Sequence, residues 1–130
     1  MCTFAPLLLS FSSSIVDAPQ ADFFTHAPDT PYDLVYDCTF LCAIDPSRRQ
    51  DWATQMSKLI RPGGEIVSLV FPCEDFGIPG GGPPFKLSPQ IVEELLEPNG
   101  FESVSLTDVP QEQWARGRQE YLYRWRRKAE

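Results

Sequence analysis

The pattern of apolar positions predicts a repeating order of strand, turn and helix. Tyr32–Asp37 is rich in aromatic and apolar residues that favour strands, and Glu65–Phe71 is almost continuously apolar. A continuously apolar strand is typical of the middle of a parallel sheet, where both faces are buried. Between the two strands, four residues have the spacing of one apolar helix face: Trp52, Met56, Leu59 and Ile60. A right-handed crossover through this helix is expected to make the strands parallel.

Capping residues and chain breakers predict where the helices begin and end. Either Asp45 or Ser47 can cap the first helix, and Arg61–Gly64 contains the Pro and Gly residues that end it. Ser88-Pro89 predicts the start of a second helix, with Ser as the cap and Pro at the first helical position. Pro98–Gly100 ends that helix.

Two more strands are predicted near the end of the chain, on either side of a polar loop at Thr107–Gln119. Phe101–Leu106 alternates apolar and polar residues, and Tyr121–Arg127 alternates aromatic and basic ones. Basic and aromatic residues also interleave in proteins that bind single-stranded nucleic acid by stacking. The acidic net charge favours the other interpretation, in which Tyr121–Arg127 is an antiparallel last strand with its aromatic side chains under a helix.

Composition and charge narrow the class of protein. The 130 residues correspond to one domain, and the net charge of -7 argues against a general nucleic-acid binder. Four scattered cysteines (Cys2, Cys38, Cys42 and Cys73) indicate free thiols in a reducing compartment, and no stretch is long enough to span a bilayer. With one His and no CxxC pair, a zinc site is not expected. We therefore expect a cytoplasmic protein without a membrane or nucleic-acid partner.

A Gly- and Pro-rich segment, Pro72–Leu87, follows the second strand. It is not a phosphate-binding loop of the Walker type, because its glycine run is not followed by Gly-Lys-Ser/Thr at the start of a helix. Two interpretations remain open. The segment is either a mobile lid over a binding site or a long surface loop.

Four stretches together resemble a known family. ADFFTHAPDTPYDLVYDCTFLCAIDP, RPGGEIVSLVFP, GGGPPFKLS and RGRQEYLYRWRR occur in the order found in the second half of the thiol/halide methyltransferases. That family is similar to thiopurine S-methyltransferase and uses S-adenosyl-L-methionine. The resemblance implies an α/β fold: a partial doubly wound (Rossmann-like) class I methyltransferase sheet, mostly parallel with an antiparallel last strand. Arg116-Gly117 matches a basic-Gly step of the family whose role is open.

The resemblance divides the chain into two parts. Residues 21–130 resemble the C-terminal half of a methyltransferase domain, whereas residues 1–20 are poorly matched. The family's Gly-rich loop after its first strand has no counterpart before Asp22, so we expect a truncated chain with weak or no activity alone. For the first twenty residues four interpretations stay open: a strand around Ile15 and Val16, a disordered segment, an artefact of the gene model, or a truncation.

Four residues are expected to contact the cofactor because of the resemblance. By residue type alone, Asp22 would cap a turn and Phe23 would belong to the core. The resemblance instead implies that Asp22 accepts a hydrogen bond from the adenine amino group and that Phe23 packs on the base. Asp37 and Cys38 are expected beside the methionine or adenosine part, although the family usually has Tyr at the position of Cys38. No residue is predicted to be a catalytic acid, base or nucleophile.

The expected function is transfer of a methyl group to a small soft nucleophile such as a thiol, hydrosulfide, thiocyanate or halide. The alternative is a non-catalytic methyltransferase remnant that acts as an interaction module. Without strands before it, the Tyr32–Asp37 strand would have an exposed edge, and exposed edges favour self-association. The sequence leaves the methyl acceptor and the oligomeric state open.

Overall fold

The computed structural model describes residues 21–129, so the expectations for residues 1–20 lie outside the described part. The regular elements are β1 (Tyr32–Asp37), α1 (Arg49–Leu59), β2 (Ile60–Val70), α2 (Pro89–Leu96), β3 (Phe101–Asp108) and β4 (Tyr121–Arg127). Short 3-10 turns lie at Leu41–Ala43, Pro46–Arg48, Glu97–Asn99 and Gln111–Gln113.

The four strands form one sheet in the order β1-β2-β4-β3. β1 and β2 are parallel, with Val35 opposite Ile66, whereas β4 is antiparallel to both of its neighbours. β3 therefore runs in the same direction as β1 and β2, and only the last strand is reversed. This arrangement confirms the mostly parallel sheet with an antiparallel last strand.

Both helices pack on the same face of the sheet. Trp52 of α1 and Trp125 of β4 are fully buried there, together with the apolar side of α2. α2 begins as predicted, since the Ser88 hydroxyl accepts a hydrogen bond from the Ile91 amide at 3.1 Å. Within the same layer the Tyr123 hydroxyl donates to the Glu93 carboxylate at 2.6 Å, so the aromatic side of β4 lies under a helix, as expected. Among residues 21–129, no helix is long and apolar enough to cross a membrane.

The junction between α1 and β2 differs from the prediction. Ile60 is buried but belongs to β2, and the Arg61–Gly64 segment continues that strand instead of separating it from the helix. Gly64 allows this because a Cβ atom there would lie 2.6 Å from Ile60 Cγ2 and 3.0 Å from the Asp33 carbonyl oxygen. The register between β1 and β2 shifts at this point, which absorbs the extra residues.

Candidate active-site edge

The carboxyl end of β1 is organised by the buried carboxylate of Asp37. Its Oδ1 atom accepts hydrogen bonds from the Phe40 and Leu41 amides at 3.3 and 3.2 Å, and its Oδ2 atom accepts one from Trp52 Nε1 at 2.8 Å. Burial raises the pKa of Asp37, while these hydrogen bonds oppose that shift. The carboxylate therefore fixes the turn that follows β1 and ties it to α1.

The turn exposes Cys38 and leaves Thr39 half-buried. Thr39 has a φ of 62°, in the left-handed region that non-glycine residues rarely adopt. The Thr39 hydroxyl donates to the Cys38 carbonyl at 2.6 Å and Asp37 binds the next two amides, so local contacts hold this conformation. Strained backbone of this kind is often found at ligand sites.

The Asp22–His26 turn lies beside the same edge. Its Phe23 ring is 3% exposed and packs against Phe40, with ring centroids 4.9 Å apart. Gln55 of α1 fixes the turn by donating from Nε2 to the Phe23 and His26 carbonyls at 2.8 and 2.7 Å. The contact between the Phe23 and Phe40 rings therefore places Asp22 and Phe23, the two residues expected to contact adenine, near the carboxyl end of β1.

The side chains of Asp22 and Phe23 have clear local roles. Asp22 Oδ1 accepts a hydrogen bond from the Phe24 amide at 2.9 Å, yet the residue is exposed and a carboxylate can accept further donors. Phe23 belongs to the core and leaves little of its ring accessible. The roles of Asp22, Phe23, Asp37 and Cys38 in cofactor binding stay predictions.

The connection between β3 and β4 brings a basic group to this edge. Arg116 Nη2 lies 3.6 Å from Cys38 Sγ, and Nη1 lies 3.3 Å from the carboxylate of the buried Glu120. The guanidinium also lies 5.2 Å from the centre of the Phe71 ring, just after β2. Burial and the contact with Cys38 raise the pKa of Tyr36 to about 12. Residues from three parts of the chain thus meet at the carboxyl ends of β1 and β2.

The Pro72–Leu87 loop crosses the same end of the sheet. Backbone hydrogen bonds of 2.7 Å join Leu87 to Pro72 and Phe85 to Cys42, while Arg49 Nη2 donates to the Lys86 carbonyl at 2.9 Å. A cleft of about 290 Å³ separates the start of the loop from the β3–β4 connection. Its lining is formed by Cys73, Glu74, Trp114, Gly117, Arg118 and Gln119.

Two residues that organise the edge, Trp52 and Gln55, were not predicted from the sequence as site residues. Trp52 was predicted only as part of an apolar helix face, and Gln55 was not singled out. Both carried a recognisable signal, because a buried indole N–H or amide normally needs a hydrogen-bond partner. The partners themselves, Asp37 and the Phe23 carbonyl, are 15 and 32 residues away in the chain and are identified only by the fold.

The sheet order, the reversed last strand and the polar residues beyond the parallel strands define a Rossmann-like methyltransferase fold. A solved S-adenosylmethionine-dependent methyltransferase from Methanosarcina mazei is 14% identical with a TM-score of 0.69, over 85% of this chain and 66% of that one. The 1,6-didemethyltoxoflavin-N1-methyltransferase of Burkholderia thailandensis is 18% identical with a TM-score of 0.66, over 85% of this chain and 50% of its own. At these identities the similarity establishes the fold.

The chain belongs to the thiopurine S-methyltransferase family, whose model matches residues 9–128. The match begins before Ala21 and so includes part of the segment without recognised motifs. The probable thiol methyltransferase 2 of Arabidopsis thaliana is 42% identical over 106 residues, and the thiocyanate methyltransferase 1 of Brassica oleracea is 39% identical over 108. These alignments cover 82% and 83% of this chain but 46% of each relative, so the chain spans about half the length of the relatives it matches.

Proposed function

We propose that the chain forms part of an S-adenosyl-L-methionine-dependent methyltransferase that acts on a small soft nucleophile: a thiol, hydrosulfide, thiocyanate or halide. The observation that carries the proposal is the convergence of the Asp22–His26 turn, the Asp37–Phe40 turn and Arg116 at the carboxyl ends of parallel strands. Family membership supports it, as do relatives named for thiol and thiocyanate methylation.

The chemistry matches the groups at this edge. S-adenosylmethionine, when bound, supplies a methyl group already activated by its sulfonium. The protein then has to align the two reactants and exclude water, and proton transfer contributes little. Asp37 suits a positioning role because its carboxylate already accepts hydrogen bonds from Phe40, Leu41 and Trp52. We assign Asp22 and Phe23 to the adenine, and Asp37 and Cys38 to the adenosine or methionine part.

The proposal includes weak cofactor binding by the 130-residue chain alone. Affinity in this fold depends strongly on a Gly-rich turn at a helix amino terminus, and no such turn occurs among residues 21–129. We also place the protein in the cytoplasm, in keeping with the free thiols of Cys38, Cys42 and Cys73.

Calorimetric titration with S-adenosylmethionine tests these statements. One sample is this chain, and the other is this chain preceded by the part of the Arabidopsis thaliana relative that it does not cover. We expect weak or no binding by the first, and binding plus methylation of hydrosulfide, iodide or thiocyanate by the second. Micromolar affinity of the chain alone would contradict the weak-binding statement. A folded longer protein without methyl transfer would contradict the function.

Two substitutions in the longer protein test the site. Asp22→Ala removes the carboxylate assigned to the adenine amino group and is expected to weaken cofactor binding about tenfold, the usual size for a charge-assisted hydrogen bond. Cys38→Tyr restores the residue expected in the family and is predicted to strengthen binding. Asp29→Ala, at an exposed residue before β1, is the matched control and should leave the affinity unchanged.

A second candidate function is a non-catalytic interaction module that self-associates through β1. The strand order leaves the outer edge of β1 without a strand partner among residues 21–129, and such edges can pair with another chain. Light scattering over a range of concentrations tests this candidate. A dimer that lacks methyl transfer in both samples would favour it, whereas a monomer at all concentrations would exclude it.

A further inference from the structure

Arg116 lies close to the carboxyl ends of both parallel strands, β1 and β2. Its Nη2 atom lies 3.6 Å from Cys38 Sγ after β1, and its guanidinium lies 5.2 Å from the centre of the Phe71 ring after β2. The carboxyl ends of neighbouring parallel strands form the crevice in which this fold binds small molecules. A positive charge therefore lies at the crevice, carried there by the connection between β3 and β4.

Arg116 is held in place but remains accessible. Its side chain is 35% exposed, whereas the side chain of its ion-pair partner Glu120 is only 7% exposed. Gly117 follows with a φ of 68°, which turns the chain immediately after the arginine. The contacts with Glu120 and Cys38 use two of the five N–H donors of a guanidinium. Donors thus remain for a ligand that enters from the solvent side.

The chemistry around Arg116 selects for a soft, weakly hydrated anion. A guanidinium is itself weakly hydrated, so its pairing with thiocyanate, iodide or a thiolate costs less desolvation than pairing with a compact, strongly hydrated ion. The Phe71 ring adds an apolar surface that excludes water. The thiol sulfur of Cys38, 3.6 Å from Nη2, shows that the guanidinium accepts a soft sulfur atom as a neighbour.

We propose that Arg116 is the specificity-determining residue that binds the anionic methyl acceptor at the carboxyl ends of β1 and β2. The inference rests on the proposed function and deepens it, because it assigns the acceptor to one side chain. It also states the acceptor class: a soft anion that keeps its negative charge when bound, in preference to a neutral thiol.

Other arginines of the described chain do not combine these features. Arg118 pairs with the exposed Glu74 at 2.9 Å and covers the Phe76 ring at 4.1 Å, on the loop side of the cleft. Arg124 and Arg126 both pair with Glu65 on β2, away from the carboxyl ends of β1 and β2. Arg118 therefore offers a matched control, since it has the same charge and the same turn but no contact with Cys38.

The test is an NMR titration of the whole 130-residue chain with sodium thiocyanate, which follows the arginine Nε–Hε signals. We expect saturable shifts at Arg116, and none with sodium fluoride at equal ionic strength. Arg116→Gln is expected to weaken thiocyanate binding at least about tenfold, while Arg118→Gln leaves it within about twofold. Equal losses in the two variants, or equal responses to fluoride and thiocyanate, would overturn the proposal.

A second variant keeps the test decisive if Arg116→Gln fails to fold. Glu120→Gln has the same shape but removes the negative charge beside Arg116, so we expect thiocyanate affinity to rise several-fold. Unchanged or weaker binding in the folded variant would count against the proposal. The longer protein separates the two ideas. If it binds thiocyanate at Arg116 but neither binds S-adenosylmethionine nor transfers methyl, the proposed function alone is overturned. If it methylates thiocyanate and Arg116→Gln leaves that activity unchanged, the role of Arg116 alone is overturned.

Discussion

The segments that follow the two parallel strands, β1 and β2, differ in length and in how they are held. After β1, the Asp37 carboxylate binds two amides of the next turn and the indole of Trp52, which lies 15 residues further along the chain. After β2, the chain enters the Pro72–Leu87 loop, which is joined to the rest by bonds near its end, such as Leu87 to Pro72 and Phe85 to Cys42. The first segment is short and is fixed by a buried carboxylate; the second is long, and most of its residues are exposed or half-buried.

Under the proposed function, this difference suits two different tasks. A buried carboxylate with three partners holds one backbone conformation, which is what an invariant ligand such as a cofactor requires. A Gly- and Pro-rich loop with few anchors can adjust to acceptors of different size and close over them. The comparison predicts that substitutions after β1 act on stability, whereas substitutions at the loop after β2 act on local opening.

The largest expected effect is that of Asp37→Ala. The substitution leaves a buried indole N–H and two backbone amides without their acceptor, so we expect the free energy of unfolding to fall by about 3 kcal/mol. Urea denaturation monitored by circular dichroism measures the change. Asp45→Ala is the matched control, because Asp45 also accepts a backbone amide, from Ser47 at 2.9 Å, but at an exposed turn. A comparable loss in both variants would show that burial is not the cause.

A smaller effect is expected in the pH dependence of Asp37→Asn. Burial raises the folded-state pKa of Asp37 above its ordinary value of 3.8, so folding favours the protonated acid. Its contribution to stability is complete below that value and is lost as the pH rises through the raised pKa. The free energy of unfolding of the native chain should therefore fall relative to Asp37→Asn above 3.8, by at most about 1.4 kcal/mol per pH unit. Urea titrations at several pH values measure the difference, and a native chain whose stability rises with pH relative to Asp37→Asn would contradict the prediction.

The smallest effect on stability is expected for Arg49→Gln. It removes the 2.9 Å hydrogen bond to the Lys86 carbonyl, one of the anchors of the loop, but leaves the compact turn after β1 intact. We expect tryptic cleavage after Lys86 to become several-fold faster while the denaturation midpoint barely changes, because local opening becomes easier. Arg48→Gln is the control, because it removes an exposed ion pair with Asp51 and a contact at 3.9 Å with the Phe24 ring but no bond to the loop. Equal cleavage rates in the two variants would show that this bond does not anchor the loop.

Local patterns were sufficient to predict most of the fold. Tyr32–Asp37 and Tyr121–Arg127 have the bounds expected from their alternating and aromatic composition. Ser88-Pro89 begins α2 because a hydroxyl cap and a fixed proline φ act within one turn. The end of α1 was predicted less well: Gly64 reads as a helix stop in the sequence, yet its lack of a side chain lets β2 start early beside β1.

The residues of the candidate site could be predicted from the sequence, but the contacts between them could not. Asp37 and Cys38 were placed at the end of a strand by local pattern, and the resemblance added Asp22 and Phe23. The bond from Trp52 to Asp37, the ring contact between Phe23 and Phe40, and the approach of Arg116 to Cys38 join residues far apart in the chain. Such contacts depend on how several elements pack together, which no short window of sequence contains.

The sequence by itself determined the order of strands and helices, the caps of α2 and the presence of polar residues at the ends of strands. These features depend on interactions between near neighbours. Only the tertiary structure decided that β4 lies between β2 and β3, and that this insertion delivers Arg116 to the end of β1. The physical reason is that strand pairing buries the most apolar surface in one particular order, and the positions of the loop residues follow from that order.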